Sequence, residues 1–131
     1  MIKRILIIDD DVDFAEACCN FLEAAGYETS YETDASKALE KIQASKPDLI
    51  LLDVVMQEQD SGFRLAELLN RDLKLRQIPV IFLTGYFKKT ESQEQQELIK
   101  KWPNVYGVLD KPVKPSILME VVQKVSPDTG R

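Results

Sequence analysis

Three short apolar runs each end in charged residues. Ile5-Leu6-Ile7-Ile8 leads into Asp9-Asp10-Asp11, Leu49-Ile50-Leu51-Leu52 into Asp53, and Tyr106-Gly107-Val108-Leu109-Asp110 into Lys111-Pro112. A run of four or five apolar residues bounded by polar ones is the length of a strand, and unbroken apolarity marks a strand covered on both faces. If the three runs are parallel strands, their C-terminal ends bring several carboxylates and one ammonium to one edge of a sheet. Open α/β sheets bind their ligands at that edge. Carboxylates gathered there repel one another unless a cation sits among them. The pattern therefore points to a hard divalent ion beside an aspartate able to act as a nucleophile.

The segments between the runs read as helices. Phe14, Cys18, Phe21, Leu22 and Ala25 recur at helical spacing, and Gly26 is placed to end that helix. The alternating, partly polar residues 27–31 suit an edge strand. Asp34 can cap a second helix that turns Ala38, Leu39 and Ile42 inward. A third helix is expected over residues 61–73, a strand over 79–83 ending in Thr84-Gly85, and a weakly amphipathic helix within 88–101. A strand over 105–109 and a helix from Pro115, burying Leu118, Val121, Val122 and Val125, complete the alternation. Strict βα alternation implies an α/β fold with a doubly wound, five-stranded parallel sheet. The right-handed crossover rule and the polar second strand favour the order 2-1-3-4-5. At 131 residues the chain is the size of one domain, expected over residues 1–125 with a frayed tail at 126–131.

Composition excludes several functions. There is no histidine, which removes a Ser-His triad, a histidine base and the usual transition-metal ligand. The formal charge of −5 argues against direct nucleic-acid binding. Cys18 and Cys19 are adjacent, so a bridge between them is not expected, and they read as small core residues in a reducing compartment. With no apolar stretch long enough to span a bilayer and no signal-peptide pattern, a cytoplasmic protein without membrane contact is expected. Asp9-x-Asp11-x-Asp13 begins like a calcium-binding EF-hand loop, but Phe14 and Asn20 stand where that loop needs glycine and glutamate.

Asp9-Asp10 after the first strand, Asp53 after the third, Thr84 after the fourth and Lys111-Pro112 after the fifth resemble, in that order, the receiver domains of two-component response regulators. The resemblance covers essentially the whole chain and implies a flavodoxin-like (βα)5 fold. It implies that Asp53 accepts a phosphoryl group from a sensor histidine kinase or a histidine phosphotransfer protein. It further implies that Asp9, Asp10, Asp53 and the main-chain carbonyl of Val55 hold Mg²⁺ (or Mn²⁺), and that Thr84 and Lys111 bind phosphoryl oxygens. The Lys111-Pro112 peptide is then expected to be cis. Such a domain is not a conventional enzyme: it catalyses only its own phosphorylation and dephosphorylation, and signals through the surface of its fourth helix, fifth strand and fifth helix to a downstream protein or output domain.

The chain departs from the family pattern in places. Val108 stands where the family usually has an aromatic residue, and Tyr106, two residues earlier, is expected on the same strand face. Gln57 follows Met56 where proline is common, and Gly62 falls one residue late. Two other readings compete. A haloacid-dehalogenase-type phosphatase also uses aspartate, threonine and lysine after successive strands, but its nucleophile lies after the first strand, which leaves Asp53 without a role. A degenerate receiver would serve only as a docking module.

Overall fold

The computed structural model describes residues 2–53, 61–84 and 104–125. The elements are β1 (Arg4–Ile8), α1 (Val12–Ala24), β2 (Glu28–Glu32), α2 (Ala35–Ser45), β3 (Leu49–Asp53), α3 (Ser61–Arg71), a 3₁₀ turn (Leu75–Gln77), β4 (Val80–Thr84), β5 (Val105–Asp110) and a C-terminal helix (Pro115–Val125). All strand pairs are parallel, and the sheet order is β2-β1-β3-β4-β5, as expected. The segment 88–101, Val55, Gly85, loop residues 57–60 and the tail 126–131 lie outside the described residues.

Strand alternation divides the core into two layers. Leu6, Ile8, Ile50 and Leu52 face α2 and α3, while Ile5, Ile7, Leu49 and Leu51 face α1 and the C-terminal helix. Every residue of β3 is buried, as its unbroken apolarity requires. Each such Leu or Ile contributes roughly 1.5–3 kcal/mol on burial, so β1 and β3 anchor the sheet while the half-exposed β2 is its edge. Asp48 fixes the start of this central pair. Its Oδ2 accepts the backbone N–H groups of Lys3 (3.0 Å) and Arg4 (2.9 Å).

Boundaries moved where local hydrogen bonds compete with the strand or helix. β2 begins at Glu28, one residue later than expected, because Tyr27 N–H still bonds back to Leu22 O at 3.1 Å. Gly26, at φ +104°, follows the α1 cap and makes the turn. Ala25 is exposed rather than core-facing; Ala15 and Cys19 are buried instead. α3 ends at Arg71, two residues early, because Asp72 Oδ1 accepts the N–H groups of Lys74 (2.8 Å) and Leu75 (3.0 Å) and starts a turn. In the C-terminal helix Leu118 and Val122 are buried, and Val121 and Val125 are partly so. Between β4 and β5 the register skips Tyr106, pairing Val80 with Val105 and Ile81 with Gly107. Tyr106 is the extra residue of this bulge and is 62% exposed, whereas Val108 packs on the α2–α3 layer. Both cysteines are free and buried. Burial first, then the charges of Cys19 and Asp9, push the Cys18 thiol up to about 11, which makes it inert.

Asp34 caps α2, accepting Ser36 N–H at 2.9 Å and Ser36 Oγ–H at 2.7 Å. The Ser36 hydroxyl, then its N–H, hold the Asp34 carboxyl below its ordinary value. A depressed folded-state pKa stabilises the protein above the unfolded-state value and loses that contribution as pH falls through the folded one. Asp34→Ala should therefore lower Tm at neutral pH, with the difference from wild type closing in acid. Thermal unfolding by circular dichroism across the acid range checks this; a gap that is constant with pH contradicts it.

Candidate functional site

The sheet order makes β1 and β3 neighbours, and their carboxyl ends meet where the connections diverge to opposite faces. Asp9 follows β1, and its backbone N–H is bonded to Glu32 O at 3.1 Å, which holds it beside the edge strand. Asp53 is the last residue of β3. Asp9 is fully buried, Asp53 nearly so, and Asp10 half-buried. One carboxylate oxygen from each of the three lies within 4.8 Å of the others. Thr84 ends β4, opposite Asp110 of β5, so its backbone reaches the same edge.

Lys111 enters this cluster from the end of β5. Its Nζ lies 2.6 Å from Asp9 Oδ2 and 3.2 Å from Asp53 Oδ2. The Asp53 contact is a hydrogen bond; the Asp9 approach lies outside hydrogen-bond angles and is ionic. Burial by itself would pull the Lys111 pKa down. The Asp9 contact and charge, followed by those of Asp53, more than offset it, and the ammonium is held above its ordinary value. The Lys111-Pro112 peptide is cis, as the resemblance implied.

The charges do not cancel. At an effective dielectric near 20, unit charges about 4 Å apart interact by about 4 kcal/mol. Three carboxylates make three repulsive pairs of roughly that order, against two direct attractions from one ammonium. Among the described residues, the cluster keeps an excess of negative charge in a largely buried place. Its donors are all oxygens, the set a hard divalent cation prefers.

Two contacts here were missed in the sequence. Lys111 bonds Asp53, and Asp9, with no residue pattern to mark it as a partner, is nearer still. Phe14, expected only as part of the apolar face of α1, also lies under the lysine, with Nζ 4.7 Å from its ring centroid. The signal available was the N-terminal turn of α1: Asp11 caps the helix, and Phe14 N–H is the group it caps, at 3.1 Å.

The chain matches the response regulator receiver domain family over residues 5–123. It is 30% identical over 124 residues to protein Rrf1 of Nitratidesulfovibrio vulgaris, covering 95% of this chain and 83% of Rrf1. It is also 30% identical to the phosphate regulon transcriptional regulatory protein PhoB of Klebsiella pneumoniae, over 97% of this chain but only 55% of PhoB. Among solved structures, a CheY-like response regulator receiver domain protein from Methanospirillum hungatei JF-1 superposes with a TM-score of 0.73 at 30% identity, covering 95% of this chain and 93% of that one. The chain belongs to the response regulator receiver family. It is a phosphoryl-accepting signalling module rather than a conventional enzyme, and the phosphatase alternative is not favoured. Among the described residues, no helix is long and apolar enough to cross a membrane.

A divalent cation should stabilise the fold by linkage, by about 2.7 kcal/mol at a hundredfold excess over Kd. Asp10→Asn should keep or raise Tm without the ion, because one repulsive charge is gone, and should lose most of the ion-dependent rise. Calorimetry with and without Mg²⁺ measures both; an equal rise in wild type and variant would mean that the ion binds elsewhere.

Proposed function

We propose that Asp53 is the phosphoryl acceptor and that Asp9, Asp10, Lys111 and Thr84 serve its phosphorylation. The observation that carries this is the placement of a nearly buried carboxylate among two further carboxylates and a lysine, at the sheet edge where such folds bind ligands. The donor set fits Mg²⁺ or Mn²⁺, held by Asp9, Asp10 and Asp53 and, outside the described residues, by the main-chain carbonyl of Val55. When bound, such an ion neutralises the charge between an incoming phosphoryl group and the carboxylates.

The donor is a phosphohistidine on a sensor histidine kinase or a phosphotransfer protein; this chain has no histidine to supply one. An Asp53 carboxylate oxygen attacks phosphorus, the Oδ–P bond forms, and the P–N bond breaks. Its electron pair stays on the departing imidazole. Phosphoryl transfer of this kind depends mostly on positioning and charge neutralisation. Lys111 moves its hydrogen bond from Asp53 to a phosphoryl oxygen, and the Thr84 hydroxyl donates to another. Hydrolysis of the acyl phosphate returns the resting state, so the chemistry is confined to the protein's own modification.

Added charge at Asp53 then biases the surface that includes β5 and the C-terminal helix, with the fourth helix expected within 88–101 outside the described residues, and this surface engages a downstream protein or output domain. Val108 in place of an aromatic residue and the bulged, exposed Tyr106 alter that surface. The acidic chain acts through protein contacts in the cytoplasm, not on nucleic acid or membrane directly. Residues 1–125 form the receiver unit and 126–131 its tail.

Incubation with acetyl phosphate and Mg²⁺ should add one phosphoryl group, located on Asp53 by mass spectrometry and absent from Asp53→Ala. Lys111→Ala should slow the reaction by at least tenfold. Modification that survives Asp53→Ala would refute the assignment, and no Mg²⁺-dependent modification at all would leave a docking module.

A further inference from the structure

We propose that Phe14 is a positioning residue for this chemistry: the face of its ring holds the Lys111 ammonium against Asp9 and Asp53. The inference rests on Asp53 being the acceptor, and it assigns a role to a side chain that otherwise counts only as core.

The contacts form a closed circuit. Asp9 Oδ1 accepts Asp11 N–H at 2.9 Å, and Asp11 Oδ1 accepts Phe14 N–H at 3.1 Å. The Phe14 ring lies 4.7 Å from Lys111 Nζ, and Lys111 Nζ returns to Asp9 Oδ2 at 2.6 Å. Asp9 therefore orients the first turn of α1 with one oxygen and takes the lysine with the other. The same helix cap that ends the loop places the ring beneath the ammonium. Phe14 is partly buried and packs against the core, and its ring also meets the Lys111 ammonium.

A ring suits this place better than another acid would. Lys111 is the one positive side chain found in contact with the cluster among the described residues, and it stands on a flexible four-carbon stem. A fourth carboxylate would hold the ammonium too, but it would add repulsion to a site already over-supplied with negative charge and would repel the incoming phosphoryl group. The negative face of a phenyl ring attracts a cation while carrying no net charge. It limits where the ammonium can go without competing for the metal or opposing the phosphoryl oxygens. Lys111 thus starts close to where its charge is needed, instead of being collected from solvent during the reaction.

Phe14→Leu keeps an apolar side chain that suits a helix and removes the ring face; Phe14→Tyr keeps the ring. In proton–carbon NMR spectra, with the resonance assigned through Lys111→Arg, the Lys111 ε-methylene protons of the wild type should be shifted upfield by the ring. Phe14→Leu should abolish that shift and Phe14→Tyr should restore it. At saturating Mg²⁺, the rate of phosphorylation by acetyl phosphate should fall on the order of threefold to tenfold in Phe14→Leu and recover in Phe14→Tyr. No ring shift in the wild type would overturn the contact. A lost shift with an unchanged rate, or a slow rate that Phe14→Tyr does not rescue, would reduce Phe14 to packing. Failure of the acceptor assignment is read separately, as a wild type that is not modified on Asp53; the ring shift then decides the positioning of Lys111 alone.

Discussion

Among the described residues, one ammonium group carries the positive charge at a site built from three carboxylates. Lys111 Nζ touches a fully buried Asp9 and a nearly buried Asp53, and without a cation near them both would pay the large penalty of an isolated buried charge. The lysine answers only part of that demand. What remains is a concentrated negative field at the sheet edge, made of oxygens, the condition under which a divalent ion binds and a carboxylate can approach a phosphoryl group.

The fold exists to keep those groups together. Asp9 and Asp53 are separated by 44 positions in sequence yet end neighbouring strands, because both crossovers from the β1–β3 pair leave in opposite directions. β1 and β3, like β4, carry buried apolar residues on both faces, so the carboxylates are aimed by a firmly packed part of the molecule. Lys111 comes from β5, paired only through β4. Its position depends on contacts made after the strand ends: the two aspartates and the ring of Phe14.

Much of this was legible in the residues. The apolar runs marked β1, β3 and β5, and the charged residues closing them marked the site, because a buried parallel strand announces itself by composition alone. Asp34 and Asp11 were readable as caps for the same local reason. Other features depended on partners distant in sequence or on competing local bonds. Periodicity put Ala25 in the core, but the helix ends before it and Ala15 and Cys19 take the buried positions. Asp72 stops α3 through its own side chain, although Leu73 continues the apolar pattern. The bulge at Tyr106 is a property of the β4–β5 pair, invisible in either strand alone. That Lys111 touches Asp9 as well as Asp53 depends on three strand ends meeting at one edge, which spacing does not encode.

The convergence of Asp9, Asp10 and Asp53 on one ion is the claim from which the rest follows, and Mn²⁺ tests it directly through its paramagnetism. Titrated at substoichiometric amounts into the isotope-labelled protein, Mn²⁺ should broaden the amide signals of Asp9, Asp10 and Asp53 together, along with those of their immediate neighbours. The acidic pair on the α1–β2 face, Glu16 and Glu23, should stay sharp. Broadening centred on Glu16 and Glu23, with the three aspartates unaffected, would contradict the account.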